Sequence, residues 1–77
     1  MPKTTKTADE LAQLIMAEVS KLGVCRGTTG VTIDRLDDAD MPFNWYISDA
    51  KNSNGLCLDE IEAIEREFQL KYDLAPK

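Results

Sequence analysis

Cys25 and Arg26 stand together in a glycine-rich stretch, GVCRGTTG, residues 23 to 30. Four aspartates, Asp34, Asp37, Asp38 and Asp40, crowd the positions just beyond it. A guanidinium beside a thiol favours the thiolate, the nucleophilic and redox-active form. A thiol-based enzyme or redox sensor using Cys25 is the chemistry that pair suggests. The chain contains no histidine, however, so the commonest general base and the commonest zinc ligand are both missing. The glycines invite a phosphate-cradle reading, but no Gly-Lys-Ser/Thr ending follows to bring a lysine and a hydroxyl to phosphate and metal. The aspartates resemble a calcium loop, which needs glycine at its sixth position and glutamate at its twelfth. Counted from Asp38, those places hold Phe43 and Asp49. The glycine-rich stretch therefore reads as a connecting loop and the aspartates as a solvated turn. No catalytic residue, metal ligand or cofactor is expected, and the protein reads as a non-enzyme.

Carboxylates recur later, at Asp59, Glu60, Glu62, Glu65 and Glu67. Paired-carboxylate acid-base catalysis needs two carboxyls held in contrasting environments. Spread along one helix beside Arg66 and Lys71, these five read instead as a solubilising face. The two cysteines, Cys25 and Cys57, lie 32 positions apart, which writes neither a CxxC redox pair nor a zinc knuckle. They are expected to be free, small, buried hydrophobes in a reducing compartment. Fourteen acidic and nine basic side chains give a net charge of −5, which repels phosphate backbones and anionic lipid. Neither nucleic acid nor membrane is an expected partner. The opening MPKTTKTADE lacks the apolar run of a signal peptide, and no stretch approaches the roughly 20 apolar residues of a membrane span. A cytoplasmic location is expected.

The 77 residues make a single small domain, with one modest core. Thr7 and Glu10 form a capping box that starts a helix, and Leu11, Leu14, Ile15, Val19 and Leu22 then line one stripe of it. Gly23 is placed to close that helix in a left-handed conformation, so the helix is drawn over about residues 8 to 22. Residues 1 to 6 and 74 to 77 have little to bury and are expected to fray, leaving an ordered core from about 7 to 73.

Two segments alternate with the period of a strand. GVTIDRL puts Val31, Ile33 and Arg35 on one face, and FNWYIS does the same with Phe43, Trp45 and Ile47. DDADMP between them supplies the turn, so the pair reads as an antiparallel hairpin, with Ile33 drawn opposite Trp45. This parity turns Trp45, the chain's sole tryptophan, inward and Tyr46 outward. SDAKNSNG, residues 48 to 55, reads as a polar loop. A second helix follows with Leu58, Ile61, Ile64, Phe68 and Tyr72 as its stripe. Either Asp59 with Glu62, or Cys57 with Glu60 and a Leu56 to Ile61 staple, opens it. The expected fold is α+β, in the order helix, strand, strand, helix, with both amphipathic helices on one face of a two-stranded hairpin.

LAQLIMAEV in the first helix, TTGVTI at the first strand, the Asn44–Trp45 pair and the closing KYDL together resemble a group of small uncharacterised bacterial proteins. The resemblance spans most of the chain and implies a similar compact fold. It brings no activity, cofactor or site residue with it.

What remains is a protein-interaction module. The uncovered outer face of the hairpin displays Thr32, Asp34, Asn44, Tyr46 and Ser48, and the strand edges invite pairing with another protein or with a second copy in a weak dimer. Besides the Cys25 thiol, a further alternative is an acidic protein that docks on a basic partner through its charged helix.

Overall fold

The structure, a computed structural model, describes residues 3–76. Among them the elements run β1 (Thr4–Lys6), α1 (Ala8–Val19), a 3-10 turn (Gly23–Cys25), β2 (Gly30–Arg35), β3 (Trp45–Lys51), α2 (Gly55–Lys71) and β4 (Tyr72–Leu74). The class is α+β, with two helices, an antiparallel pair β2–β3 and a parallel pair β1–β4.

α1 begins as its sequence dictates. Thr7 accepts the Glu10 backbone N–H at 3.1 Å and the Glu10 carboxylate accepts the Thr7 N–H at 3.0 Å, completing the capping box. The Thr7 backbone bond, then the Thr7 hydroxyl, and more weakly Lys6, hold the Glu10 carboxyl below its usual range. The helix ends earlier than its stripe suggested. Val19 is its last residue, Ser20 caps it in right-handed geometry, and Gly23 opens the 3-10 turn without a positive φ. Leu22 still packs against the core from this turn.

α2 begins neither at Asp59 nor at Cys57. Asn54 is its cap, accepting the Cys57 N–H at 2.9 Å through its side-chain oxygen. From this start, Cys57, Ile61, Ile64 and Phe68 face the core at four- and three-residue spacings, while Leu58 is left 44% exposed. Tyr72 leaves the helix in extended geometry and packs edge-on against Phe68, with ring centroids 5.5 Å apart.

The hairpin keeps the expected parity but slides in register. Ile33 pairs with Ile47 and Arg35 with Trp45, not Ile33 with Trp45. β3 also continues through Lys51, across residues expected to be loop. A β-bulge makes this possible. Thr32 pairs with Asp49 and Ile33 with Ile47, so Ser48 is the extra residue. That insertion flips the alternation, letting half-buried Ala50 take the core side while Asp49 stays exposed. Phe43, expected beside Trp45 on the inner face, lies before the strand begins and is only half-buried.

The core gathers Leu11, Ile15 and Val19 of α1, Trp45 of β3, Ile61 and Phe68 of α2, Leu74 of β4, and Cys25 with Cys57. The cysteines are not free. They form a disulfide, linking the 3-10 turn to the first turn of α2. The cap at Asn54 places Cys57 on the inner face of α2, where the turn brings Cys25 to within 4.9 Å Cα to Cα, well inside bridging range. The Thr28 hydroxyl lies 3.2 Å from Cys57 Sγ and donates to it, since a disulfide sulfur has no proton to give.

The chain ends, expected to fray, are ordered where described. Thr4 pairs with Tyr72, Thr5 with Asp73 and Lys6 with Leu74, and Ala75 N–H extends the ladder to Lys6 C=O at 2.8 Å. Residues 1, 2 and 77 lie outside the described residues. β1 buries little of its own, while β4 lends Leu74 and half-buried Tyr72 to the core, and side chains from the hairpin bond the β4 backbone. Asn44 Oδ1 accepts Leu74 N–H at 2.8 Å and Asn44 Nδ2 donates to Leu74 C=O at 3.0 Å, imitating a neighbouring strand along β4. Asn44→Ala removes both bonds at once and leaves two half-buried backbone groups unpaired, at a cost of about 1–3 kcal/mol. Amide exchange at Leu74 and at the other β4 amides is expected to accelerate while that of α1 is unchanged.

Candidate interaction site

The two edges of the hairpin are not equivalent. In an antiparallel pair, residues alternate between those that bond across the ladder and those whose N–H and C=O point away from it. Leu36 N–H bonds Asn44 C=O at 2.9 Å, which fixes the alternation. Asp34 and Tyr46 bond each other, whereas Ile33 and Arg35 on β2, and Trp45 and Ile47 on β3, turn their backbone groups outward.

On β3 the outward groups meet α2. Gln69 Nε2 donates to Trp45 C=O at 2.8 Å, and Glu65 Oε2 accepts Ile47 N–H at 2.6 Å. Gln69 is 5% exposed and Glu65 half-buried, so both act as fixed substitutes for a third strand. Glu65, read from sequence as part of a solubilising face, instead closes an edge. On β2 the outward groups of Ile33 and Arg35 have no such cover among the described residues. None of the described hydrogen bonds between elements engages them.

A groove of roughly 630 Å³ runs along this open flank. Ile33, Asp34 and Arg35 form one wall, Tyr46 rises from the outer face, and Ala8 and Leu74–Pro76 line the other side. Its volume lies within the 300–1,000 Å³ of ligand-sized clefts. The Arg35 guanidinium crosses the inner wall to donate to Ala75 C=O, so its charge is already directed to a carbonyl.

Trp45 is fully buried, its indole N–H donating to Tyr72 C=O at 3.0 Å. Tyr46, beside it, is 38% exposed on the opposite face. Of the five residues expected on the display face, Thr32, Asp34, Tyr46 and Ser48 are exposed, while Asn44 is half-buried with both ends of its amide bonded to β4. Asn44 therefore positions the terminal strand and does not belong to the face. Ser48 sits in the bulge, its hydroxyl 3.5 Å from Thr32 C=O. Sequence reasoning missed Ala8, Leu74, Ala75 and Pro76, because the terminal pair that brings them here leaves no periodic signal. An arginine on the inward side of β2 was the one visible hint that a polar partner lies beneath.

Asp38 Oδ1 accepts Asp40 N–H at 3.0 Å and Asp38 C=O accepts Met41 N–H at 3.1 Å, so the aspartate run forms a turn. Among the described residues, no group of three or more Cys, Asp or Glu is arranged to hold a metal ion, and no helix is long and apolar enough to cross a membrane. Compared with known proteins, the chain matches no family model, no curated protein and no solved structure.

Proposed function

We propose that the protein is a non-enzymatic interaction module that binds a protein partner across the outer face and β2 flank of its hairpin, centred on Tyr46 and Asp34. The two amphipathic helices cover one face of the hairpin and leave the other for a partner. One observation carries this: α2 engages Trp45 C=O and Ile47 N–H on β3 through Gln69 and Glu65, while no hydrogen bond among the described residues engages the outward groups of Ile33 and Arg35, beside a groove walled by Tyr46. A tyrosine with an apolar ring and a polar tip, on a surface that folding does not need, is the residue type enriched where proteins meet. A thiol enzyme or sensor using Cys25 would first need the buried Cys25–Cys57 bridge to be reduced. Disulfides persist where the surroundings are oxidising, so the bridge supports work outside a reducing cytosol.

Tyr46→Ala tests the site. The variant is expected to lose at least tenfold in affinity for a partner captured by the wild-type protein, with an unchanged circular dichroism spectrum. Charge reversal at Glu60 and Glu62, both exposed on α2, serves as the comparison and is expected to leave affinity within about threefold. A partner that ignores Tyr46→Ala and is lost on the α2 reversal places binding on the acidic helix.

A further inference from the structure

We infer that the β2 edge takes an extended, basic polypeptide segment as an added strand, with alternate side chains gripped by the groove. This deepens the proposed function and rests on the Tyr46–Asp34 flank being the binding surface. Three features converge on such an occupant. First, the outward N–H and C=O groups of Ile33 and Arg35 offer the backbone pairing of strand addition, whereas on the opposite edge α2 already engages Trp45 C=O and Ile47 N–H. Second, the groove presents two kinds of wall to a strand whose side chains alternate. Side chains on the inner side meet Ile33, Leu74 and Ala8, which suit apolar residues. Those on the outer side meet the Asp34 carboxylate and the Tyr46 ring, which suit an ammonium or guanidinium on an aliphatic stem.

Third, charge selects the partner. Asp34 lies in the groove, Asp37 and Asp38 follow where β2 ends, and the whole chain carries −5. Among the described residues, the one cation lining the groove, Arg35, is directed to Ala75 C=O. A second copy of this chain is a poor occupant for the same reason. Two β2 strands joined so that Ile33 faces Arg35 would set Asp34 directly against Asp34, between two acidic bodies.

The probe is an N-acetylated, C-amidated octapeptide of alternating lysine and valine, titrated into the isotopically labelled full chain with its disulfide intact. Three comparison peptides accompany it: one N-methylated on every lysine, one N-methylated on every valine, and one with glutamate in place of lysine. Saturable binding is expected, with the Ile33 and Arg35 amide protons shifting downfield as they gain acceptors. At least one N-methylated isomer should bind tenfold or more weakly, since each blocks one pairing edge of the peptide. The glutamate peptide should bind at least tenfold more weakly than the lysine peptide, and Asp34→Lys should reverse that preference. No binding of the lysine peptide up to millimolar concentration overturns the inference. If all the lysine peptides bind alike and shift only Tyr46 and Asp34, strand addition is wrong while the binding face stands. If shifts are confined to α2, both are wrong.

Discussion

Trp45→Ala is expected to unfold the domain, or to leave it so marginal that a urea melt begins without a native baseline. The indole is fully buried at the junction of both helices, β3 and β4, and truncating a large aromatic side chain in such a place costs about 3–5 kcal/mol. Removing it also strands Tyr72 C=O, which loses the indole donor. A chain of 77 residues has roughly 4–12 kcal/mol in hand, so the loss is comparable with the whole. Tyr46→Ala, next door, removes a ring that is 38% exposed, and its effect on stability should stay within about 1 kcal/mol. A larger loss at Tyr46 than at Trp45 would mean that the strand parity is inverted.

Opening the disulfide is the second large effect. Cys25 and Cys57 are 32 positions apart, for which loop-closure entropy gives about 3–4 kcal/mol, within the roughly 2–5 kcal/mol lost when small domains lose a native bridge. The bridge also ties the 3-10 turn to α2, in a region where Thr28 bonds both the sulfur and Ser53. A thermal melt with dithiothreitol should fall by more than about 10 °C relative to the oxidised protein. Thiol titration of the purified protein, unfolded without reductant, should find no reactive sulfhydryl. Two titratable thiols in a protein that melts identically with and without reductant would show that the cysteines are free after all.

How far the sequence discloses this architecture depends on whether each element is held by its own pattern or by distant partners. α1 is legible because Thr7 and Glu10 cap it locally and Leu11, Ile15 and Val19 repeat with helical spacing. The inward face of Trp45 is legible because strand alternation needs no knowledge of register. The slide that sets Arg35 opposite Trp45 is not, since registers two residues apart keep the same faces. The bulge at Ser48 hides the second half of β3 by inverting the alternation midway, which makes SDAKNSNG look like loop. β1 and β4 have three residues each and pair the two ends of the chain, so no local window contains their reason for forming. The disulfide is hidden for a related reason: a separation of 32 residues says nothing about distance in space.

The candidate site divides in the same way. Asp34, Tyr46, Thr32 and Ser48 follow from alternation alone. Asn44 alternates with this outward set, but its amide is bonded to the backbone of Leu74, in a strand that the sequence does not announce. Glu65 reads as part of a solubilising face because charged helix residues usually meet solvent, and nothing in the sequence singles out Gln69; the partners of both are backbone groups on β3. Closure of one hairpin edge by a helix is a tertiary event. It is also what makes the two edges unlike.

Native-state amide hydrogen exchange compares the two edges directly. The Ile47 amide, held by Glu65, should exchange slowly, as should Asp34 and Tyr46 within the ladder. The Ile33 and Arg35 amides, which point outward from β2, should exchange at least tenfold faster than these in the free protein. Equal protection of Ile33, Arg35 and Ile47 would mean that the β2 edge is already covered, and would contradict an open binding flank.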